Sequence, residues 1–196
     1  MIRPFEARDL DRLYDICLNT AASGQDASSL VADPHLFGEL YAAPYGVLEP
    51  QHALVVDDGT GTAVGYALGV LDTRAFEARC EEAWWPRLRE RHPIGSGGTG
   101  MDELLIAMIH HRHLADDDIL ATHPSHLHID LLPEAQGEGW GRRLMEQLQD
   151  RLRADGSPGI HLGVGAANQR AQGFYAHLGW RELHADSITH TLGLPL

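Results

Sequence analysis

Apolar residues recur in this sequence with two periods, and the switch between them marks its elements. Leu127, Ile129 and Leu131 alternate with His126, His128 and Asp130, the two-residue period of a strand with unlike faces. Pro133 ends that strand, because it has no N–H to give a ladder. From Trp140 the period becomes four. Trp140, Leu144, Leu148 and Leu152 form a stripe, with Arg142, Arg143, Glu146, Gln149, Asp150 and Arg153 mostly off it, which predicts an amphipathic helix. Between strand and helix stands Gln136-Gly-Glu-Gly-Trp-Gly141, with three alternate glycines where the helix begins. Unpartnered amides and the positive end of the helix dipole converge there, and without Cβ atoms a phosphate can approach the backbone.

The same patterning places the other elements. Ile2 to Phe5 predicts a first strand; Leu10, Leu13, Tyr14 and Cys17 follow at helical spacing, with Asp9 and Asp11 suited to the positive pole. Ser23-Gly24 breaks that helix; a second is expected over Ser28 to Tyr41, interrupted near Pro34, and then a loop over Ala42 to Gln51. His52 to Asp57 and Thr62 to Leu71 predict a hairpin about Asp58-Gly-Thr-Gly61. Phe76, Cys80, Trp84 and Leu88 form a helical stripe in which Pro86 must break, kink or restart the helix. Pro93 to Gly100 predicts a flexible connector, and Met101, Leu104, Leu105 and Met108 another helix. Ile160 to Val164 predicts a strand, Asn168 to Leu178 a helix, and Trp180 to Ala185 with Ile188 to Leu192 a closing pair. No internal repeat interrupts this order.

At 196 residues the sequence suits one domain, 1–196, with a substantial core. A hydrophobic content of 43% and a charged content of 22% are those of a globular protein. The net charge of -13 argues against nucleic acid or an anionic membrane as partner, and fits a soluble acidic surface better than an amine-attracting one. Cys17 and Cys80 have no zinc or redox spacing. The amino terminus is charged at once and no apolar run approaches the roughly 18 residues of a membrane span, so the expected location is cytoplasmic.

The glycine loop excludes two phosphate motifs. It has no Gly-Lys-Ser/Thr and not the Gly-x-Gly-x-x-Gly spacing of dinucleotide sites. Gln136-x-x-Gly139-x-Gly141 after a strand ending in Pro, followed by Asn168, Ala171, Phe174-Tyr175 and Leu178-Gly-Trp180, resembles the acetyl-CoA site of the GNAT superfamily of N-acetyltransferases. The resemblance implies an α+β fold around a mixed, mostly antiparallel sheet. Its order is strand, two helices, two strands, strand, helix, strand, helix and two closing strands, with a helical insertion at 73–113 before the fourth strand. Gly65-Tyr-Ala-Leu-Gly69, Asp72, Phe76, Cys80 and Leu152 to Gly159 are similar to the C-terminal acetyltransferase-like domain of protein O-GlcNAc hydrolases, here expected as a stand-alone bacterial relative.

That resemblance implies roles. Acetyl-CoA would be the acyl donor and a primary amine on a small molecule or peptide the acceptor, attacking directly; a homodimer is compatible with it. Leu131 and Leu132 would line the pantetheine arm, with the Leu131 amide at the thioester carbonyl. Gln136, Gly137, Glu138, Gly139, Trp140, Gly141 and Arg142 would hold the pyrophosphate. Asn168, Ala171 and Phe174 would line the arm, Asn168 serving equally as a helix N-cap. Tyr175 would protonate the departing thiolate; the amine's proton would go to Asp130, to His128 or, with neither as base, into a water chain, histidine having the better intrinsic pKa. Asp72 would orient substrate or anchor the insertion, whose Trp84, Trp85 and glycine connector would form a lid over the acceptor cleft. The histidines His110, His111, His113, His123, His126 and His128 lack a ligand spacing, so no metal is expected. The rival reading is a pseudo-enzyme that binds acetyl-CoA or a protein without turnover.

Overall fold

The computed structural model describes residues 1–112 and 115–196. Among them seven strands form one sheet: β1 (Ile2–Pro4), β2 (Ala53–Asp57), β3 (Ala63–Val70), β4 (Ser125–Leu131), β5 (Gly159–Gly165), β6 (Arg181–Ala185) and β7 (Thr189–Pro195). Their order is β1-β2-β3-β4-β5-β7-β6. Every neighbouring pair is antiparallel except β4 and β5, which run parallel. Strands β2 and β3 are buried along their whole length, since helices cover both faces. The Asp57 carboxylate closes their hairpin by accepting the amides of Gly59 (2.8 Å) and Gly61 (3.0 Å), both in left-handed backbone that favours glycine. Arg3 then ties the sheet edge, donating to Asp57 at 2.9 Å and to both oxygens of Asp9 at 2.6 and 2.8 Å. Those two carboxylates are thereby held below the usual range. For Asp57 the Arg3 bond dominates; for Asp9 burial is the largest influence and pushes the carboxyl up, and the Arg3 bond, the Glu6 amide and the Arg3 and Arg8 charges together outweigh it.

On one face lies α8 (Trp140–Ala154), whose Leu144, Met145, Leu148 and Leu152 are fully buried. Gly69 of β3 admits it, because a Cβ there would stand 2.9 Å from Leu148 Cδ1. The other face carries α1 (Leu10–Leu18) and α3 (Ala43–Leu48), with α2 (Leu36–Tyr41) packed on them. The insertion supplies α4 (Thr73–Ala83), α5 (Trp85–Arg91) and α6 (Met101–His110), packed on α3 and α2. Two further α-helices follow among the described residues, α7 (Asp117–Leu120) and α9 (Gln169–His177).

Several expectations need correction. The loop expected over Ala42 to Gln51 is largely helical, because Pro44 sits in the first turn of α3, where its missing N–H costs nothing. The helix expected from Ser28 is a single 3-10 turn, and α2 starts only after Pro34, which disfavours helical backbone in the residue before it. Pro86 restarts the helix, occupying the first turn of α5. Nothing in the periodicity predicts α7, which Asp116 caps by accepting the Asp118 amide at 2.9 Å. The carboxyl end of the expected insertion, His113, lies outside the described residues. Trp84 and Trp85, expected in a lid, are core residues: both are 3% exposed, Trp84 Nε1 donates to the Glu39 carbonyl at 3.0 Å, and Arg87 and Arg112 lie over their rings. Two large apolar rings at an element junction serve burial first.

Candidate active site

Strand β4 presents two different things to two sides. Its register against β3 pairs Gly65 with Leu131 and Tyr66 with Asp130, and the Leu132 amide donates to the Val64 carbonyl at 3.0 Å. Ladder bonds alternate, so Asp130, His128 and His126 turn their backbone groups to β3, while Leu131, Ile129 and Leu127 turn theirs to β5. On that side β5 pairs only at Ser125↔Ile160 and His126↔His161, among the described residues. Beyond His126 the strands diverge, and the Ile129 and Leu131 amides face the wedge. The Leu131 carbonyl accepts from Gln136 Nε2 at 2.8 Å, and Gln136 Oε1 accepts from Arg170 at 2.8 Å, so this side chain braces the wedge to α9.

At the mouth of the wedge lies the glycine loop. Gly137 (φ 83°) and Gly139 (φ 77°) are left-handed, and Gly139 is the N-cap of α8. A Cβ on Gly137 would meet nothing within 4 Å. The loop's carbonyls are held from behind: Arg143 donates to those of Glu138 and Gly139 while its guanidinium lies 3.9 Å from the Trp140 ring centroid. Trp140 Nε1 donates to Glu138 at 3.0 Å, and Arg142 lies 3.2 Å from His177 Nε2. With carbonyls tied back and a helix N-terminus open, the residues fit an anionic pyrophosphate. Gly141 has another reason to be glycine. Its Cβ would lie 3.3 Å from Phe174 Cζ and 3.5 Å from Leu131 Cδ1, so a side chain there would press on the Phe174 ring. Asn168 caps α9 by accepting the Ala171 amide at 3.1 Å, the N-cap alternative of the sequence reading.

The side chains of β4 that face away from α8 are His126, His128 and Asp130. Tyr66, directly across the ladder, donates to Asp130 Oδ2 at 2.6 Å. Burial outweighs that bond and the pull of the nearby Thr20 hydroxyl, and raises the carboxyl to about 6. Burial, with the Arg112 and His161 charges, lowers His128 to about 4. The intrinsic preference for histidine as base is therefore reversed: the carboxylate sits nearer neutral pH. Tyr175 is 8% exposed, beside Phe174 and Trp180, and burial together with the Asp130 charge raises its phenol. Among the described residues, its hydroxyl and Asp130 Oδ1 have no hydrogen bond within the chain. Neither is sealed from solvent, unlike Glu39 Oε2 and Trp180 Nε1.

The structure thus gathers Leu131, Gln136 to Arg142, Asn168, Phe174, Tyr175, Asp130 and His128 about one end of β4. Asp72 lies apart as the cap of α4, accepting the Ala75 amide at 2.9 Å, so it anchors the insertion. His126 and His128 share a hydrogen-bonded system with Tyr45, and His110 Nε2–H donates to the His92 carbonyl at 2.8 Å. Both thiols are buried; burial drives Cys17 far up and Cys80 up to about 12, so neither is a thiolate nucleophile at neutral pH. Sequence reading missed Tyr66, Thr20, Arg143 and Arg170. Tyr66 could have been found only from the β3/β4 register, which periodicity does not fix. Arg143 and Arg170 look like ordinary surface arginines until the loop folds against them.

Comparison with known proteins agrees with this geometry. Protein O-GlcNAcase of Rattus norvegicus is 25% identical over 185 residues, 93% of this chain and 20% of that protein. Mycothiol acetyltransferase of Beutenbergia cavernae is 30% identical over 165 residues, 83% of this chain and 52% of that protein. The chain therefore spans about a fifth of the first relative and half of the second. The crystal structure of SsHAT superposes with a TM-score of 0.93 at 38% identity, covering 100% of this chain and 97% of that one. A phosphinothricin acetyltransferase from Sinorhizobium meliloti, solved with acetyl-CoA, shares the fold at a TM-score of 0.59 and 17% identity, covering 100% of this chain and 88% of that one. No helix of the described residues is long and apolar enough to cross a membrane. The profile of the acetyltransferase (GNAT) family matches residues 28–180, and the chain belongs to that family, whose members use acetyl-CoA as acyl donor.

Proposed function

We propose that this protein transfers an acetyl group from acetyl-CoA to a primary amine by direct attack, with Tyr175 as general acid and Asp130 as general base. The observation that carries the reading is the wedge between β4 and β5, which sets the glycine loop, the Leu131 amide and Asp130 around one opening. Acetyl-CoA supplies an activated acetyl group on a thioester. Amides of Gly137, Gly139 and the first turn of α8 would hold its pyrophosphate, and the Leu131 amide would donate to the thioester carbonyl.

The amine side follows from charge. An amine with a pKa near 10 is mostly protonated at neutral pH, so something must remove a proton before it can attack. Asp130 is ionised above about 6, and one oxygen remains unbonded within the chain. Tyr175 keeps its proton at any physiological pH, which a donor to a departing thiolate requires. Neither cysteine is suited to carry the acetyl group, which favours direct attack over a covalent relay. The relatives carry different compounds in their names, mycothiol and phosphinothricin, so they do not select an acceptor here. Release of free thiol across a panel of small amines, aminoglycosides and peptides tests the reading. Binding of acetyl-CoA without thiol release from any acceptor would favour an inactive binding module.

A further inference from the structure

Behind the candidate site, four side chains form one hydrogen-bonded relay whose direction can be read from its far end. Thr73 Oγ lies 2.6 Å from the Pro124 carbonyl, and a carbonyl only accepts, so the hydroxyl proton points there. Thr73 Oγ is also 2.8 Å from His126 Nδ1, and with its own proton committed it must accept; Nδ1 therefore carries hydrogen. Burial and the nearby His161 and His128 keep His126 neutral, which leaves its Nε2 as an acceptor. The Tyr45 hydroxyl, 2.8 Å away, donates to it. Tyr45 Oη in turn lies 3.0 Å from His128 Nε2, so His128 must be the donor in that bond.

We propose that Thr73, His126 and Tyr45 act as positioning residues that hold His128 as its Nε2–H tautomer, presenting an Nδ1 lone pair to the acceptor amine. Among the described residues His128 Nδ1 has no hydrogen bond, and it is not among the partnerless atoms sealed from solvent. It shares the β4 face with Asp130, two residues on. His128 would then accept one N–H of the amine while Asp130 removes another proton. The surroundings support neutral rings. Arg112 and His161 face the pair, the Tyr41 ring lies tilted against His128 with centroids 5.8 Å apart, and among the described residues no carboxylate bonds to either ring. Thr73 is the first residue of α4, so the insertion sets the tautomer of a residue that α4 does not bond to directly. The tautomer stands on the hydrogen-bond geometry and on a neutral, buried His126; its use at the acceptor rests on the transferase reading.

Nitrogen-15 NMR of the full protein with labelled histidine tests the tautomer without any acceptor. At pH 7 His128 should show a protonated Nε2 and an unprotonated Nδ1. Thr73→Val removes the acceptor for His126 Nδ1–H. His126 should then turn its proton to Nε2, Tyr45 should donate to His128, and the His128 proton should move to Nδ1 in most molecules. Thr73→Ser, which keeps the hydroxyl, should retain the wild-type pattern. Tyr45→Phe should replace it with a mixture. A wild-type His128 that is cationic or protonated on Nδ1 overturns the proposal, as does a folded Thr73→Val protein with an unchanged pattern. If that variant does not fold, the wild-type spectrum and Tyr45→Phe decide. With an acceptor in hand, Thr73→Val should raise its KM about tenfold and Tyr45→Phe about twofold, in step with the fraction of His128 left as the Nε2–H tautomer, with acetyl-CoA affinity within twofold. An unchanged KM overturns the role at the acceptor. Failure of every acceptor removes the transferase reading and leaves the spectrum standing.

Discussion

The two sides of β4 are built from different materials. Toward α8 and β5 the site is backbone: amides of Ile129 and Leu131, left-handed glycines, a helix N-terminus and carbonyls pinned by Arg143. Toward α1 and α3 it is side chains, with Asp130, His128, Tyr66 and Tyr45 held in place by other side chains. A backbone site recognises what every donor molecule of the reaction shares. A side-chain site can be altered residue by residue, which is where selectivity for an acceptor belongs.

The sharpest way to break this contrast is Asp130→Asn. Turnover should fall within the roughly 10²–10⁴-fold range of positioned proton transfer, and the rise of kcat/KM with pH through about 6 should vanish. Stability should move the other way. Unfolded Asp130 titrates near 3.8 and folded Asp130 near 6, so between those values the unfolded chain ionises first and the native state loses stability as pH rises. Asparagine escapes that cost, so the variant's melting temperature relative to wild type should increase from pH 4 to pH 7. An unchanged difference would mean that Asp130 is not raised in the fold.

Next comes the packing beneath the side-chain half. Trp84→Ala should cost about 3–5 kcal/mol by chemical denaturation, the usual loss for a buried aromatic. A lid residue would lose little stability and change only the acceptor KM. Tyr175→Phe keeps the ring beside Phe174 and removes the acid. Turnover should fall about 10²-fold, with acetyl-CoA affinity changed by less than about 1 kcal/mol in calorimetry. Equal turnover at saturation, with chemistry rate-limiting, would make Tyr175 a packing residue. The smallest effect belongs to the backbone half. Gly139→Ala puts a Cβ on left-handed backbone, costing about 1–2 kcal/mol, so acetyl-CoA affinity should drop about tenfold while the acceptor KM stays.

The backbone half was the legible one. Glycines at 137 and 139 and the proline after the strand are local signals, because positive φ and a missing donor leave marks on single residues. Gly141 carried the same letter for another reason, visible only once Phe174 was in place. The side-chain half was half legible. Strand alternation put His128 and Asp130 on one face, but their relative basicity depends on burial and on Tyr66, 64 residues away in sequence. Pro44 and Pro86 show the limit of punctuation: the same residue that ends a helix elsewhere begins one here, and only packing distinguishes the two.

The register of β4 also sets how its amides meet solvent. Asp130, His128 and His126 amides are locked to β3, whereas those of Ile129 and Leu131 look into a gap. Exposed to heavy water, the strand should therefore exchange as a dotted line, with every second amide at its carboxyl end losing its proton early. Addition of acetyl-CoA should slow the Ile129 and Leu131 positions alone, so that isotope uptake along three consecutive residues reports whether the gap is filled.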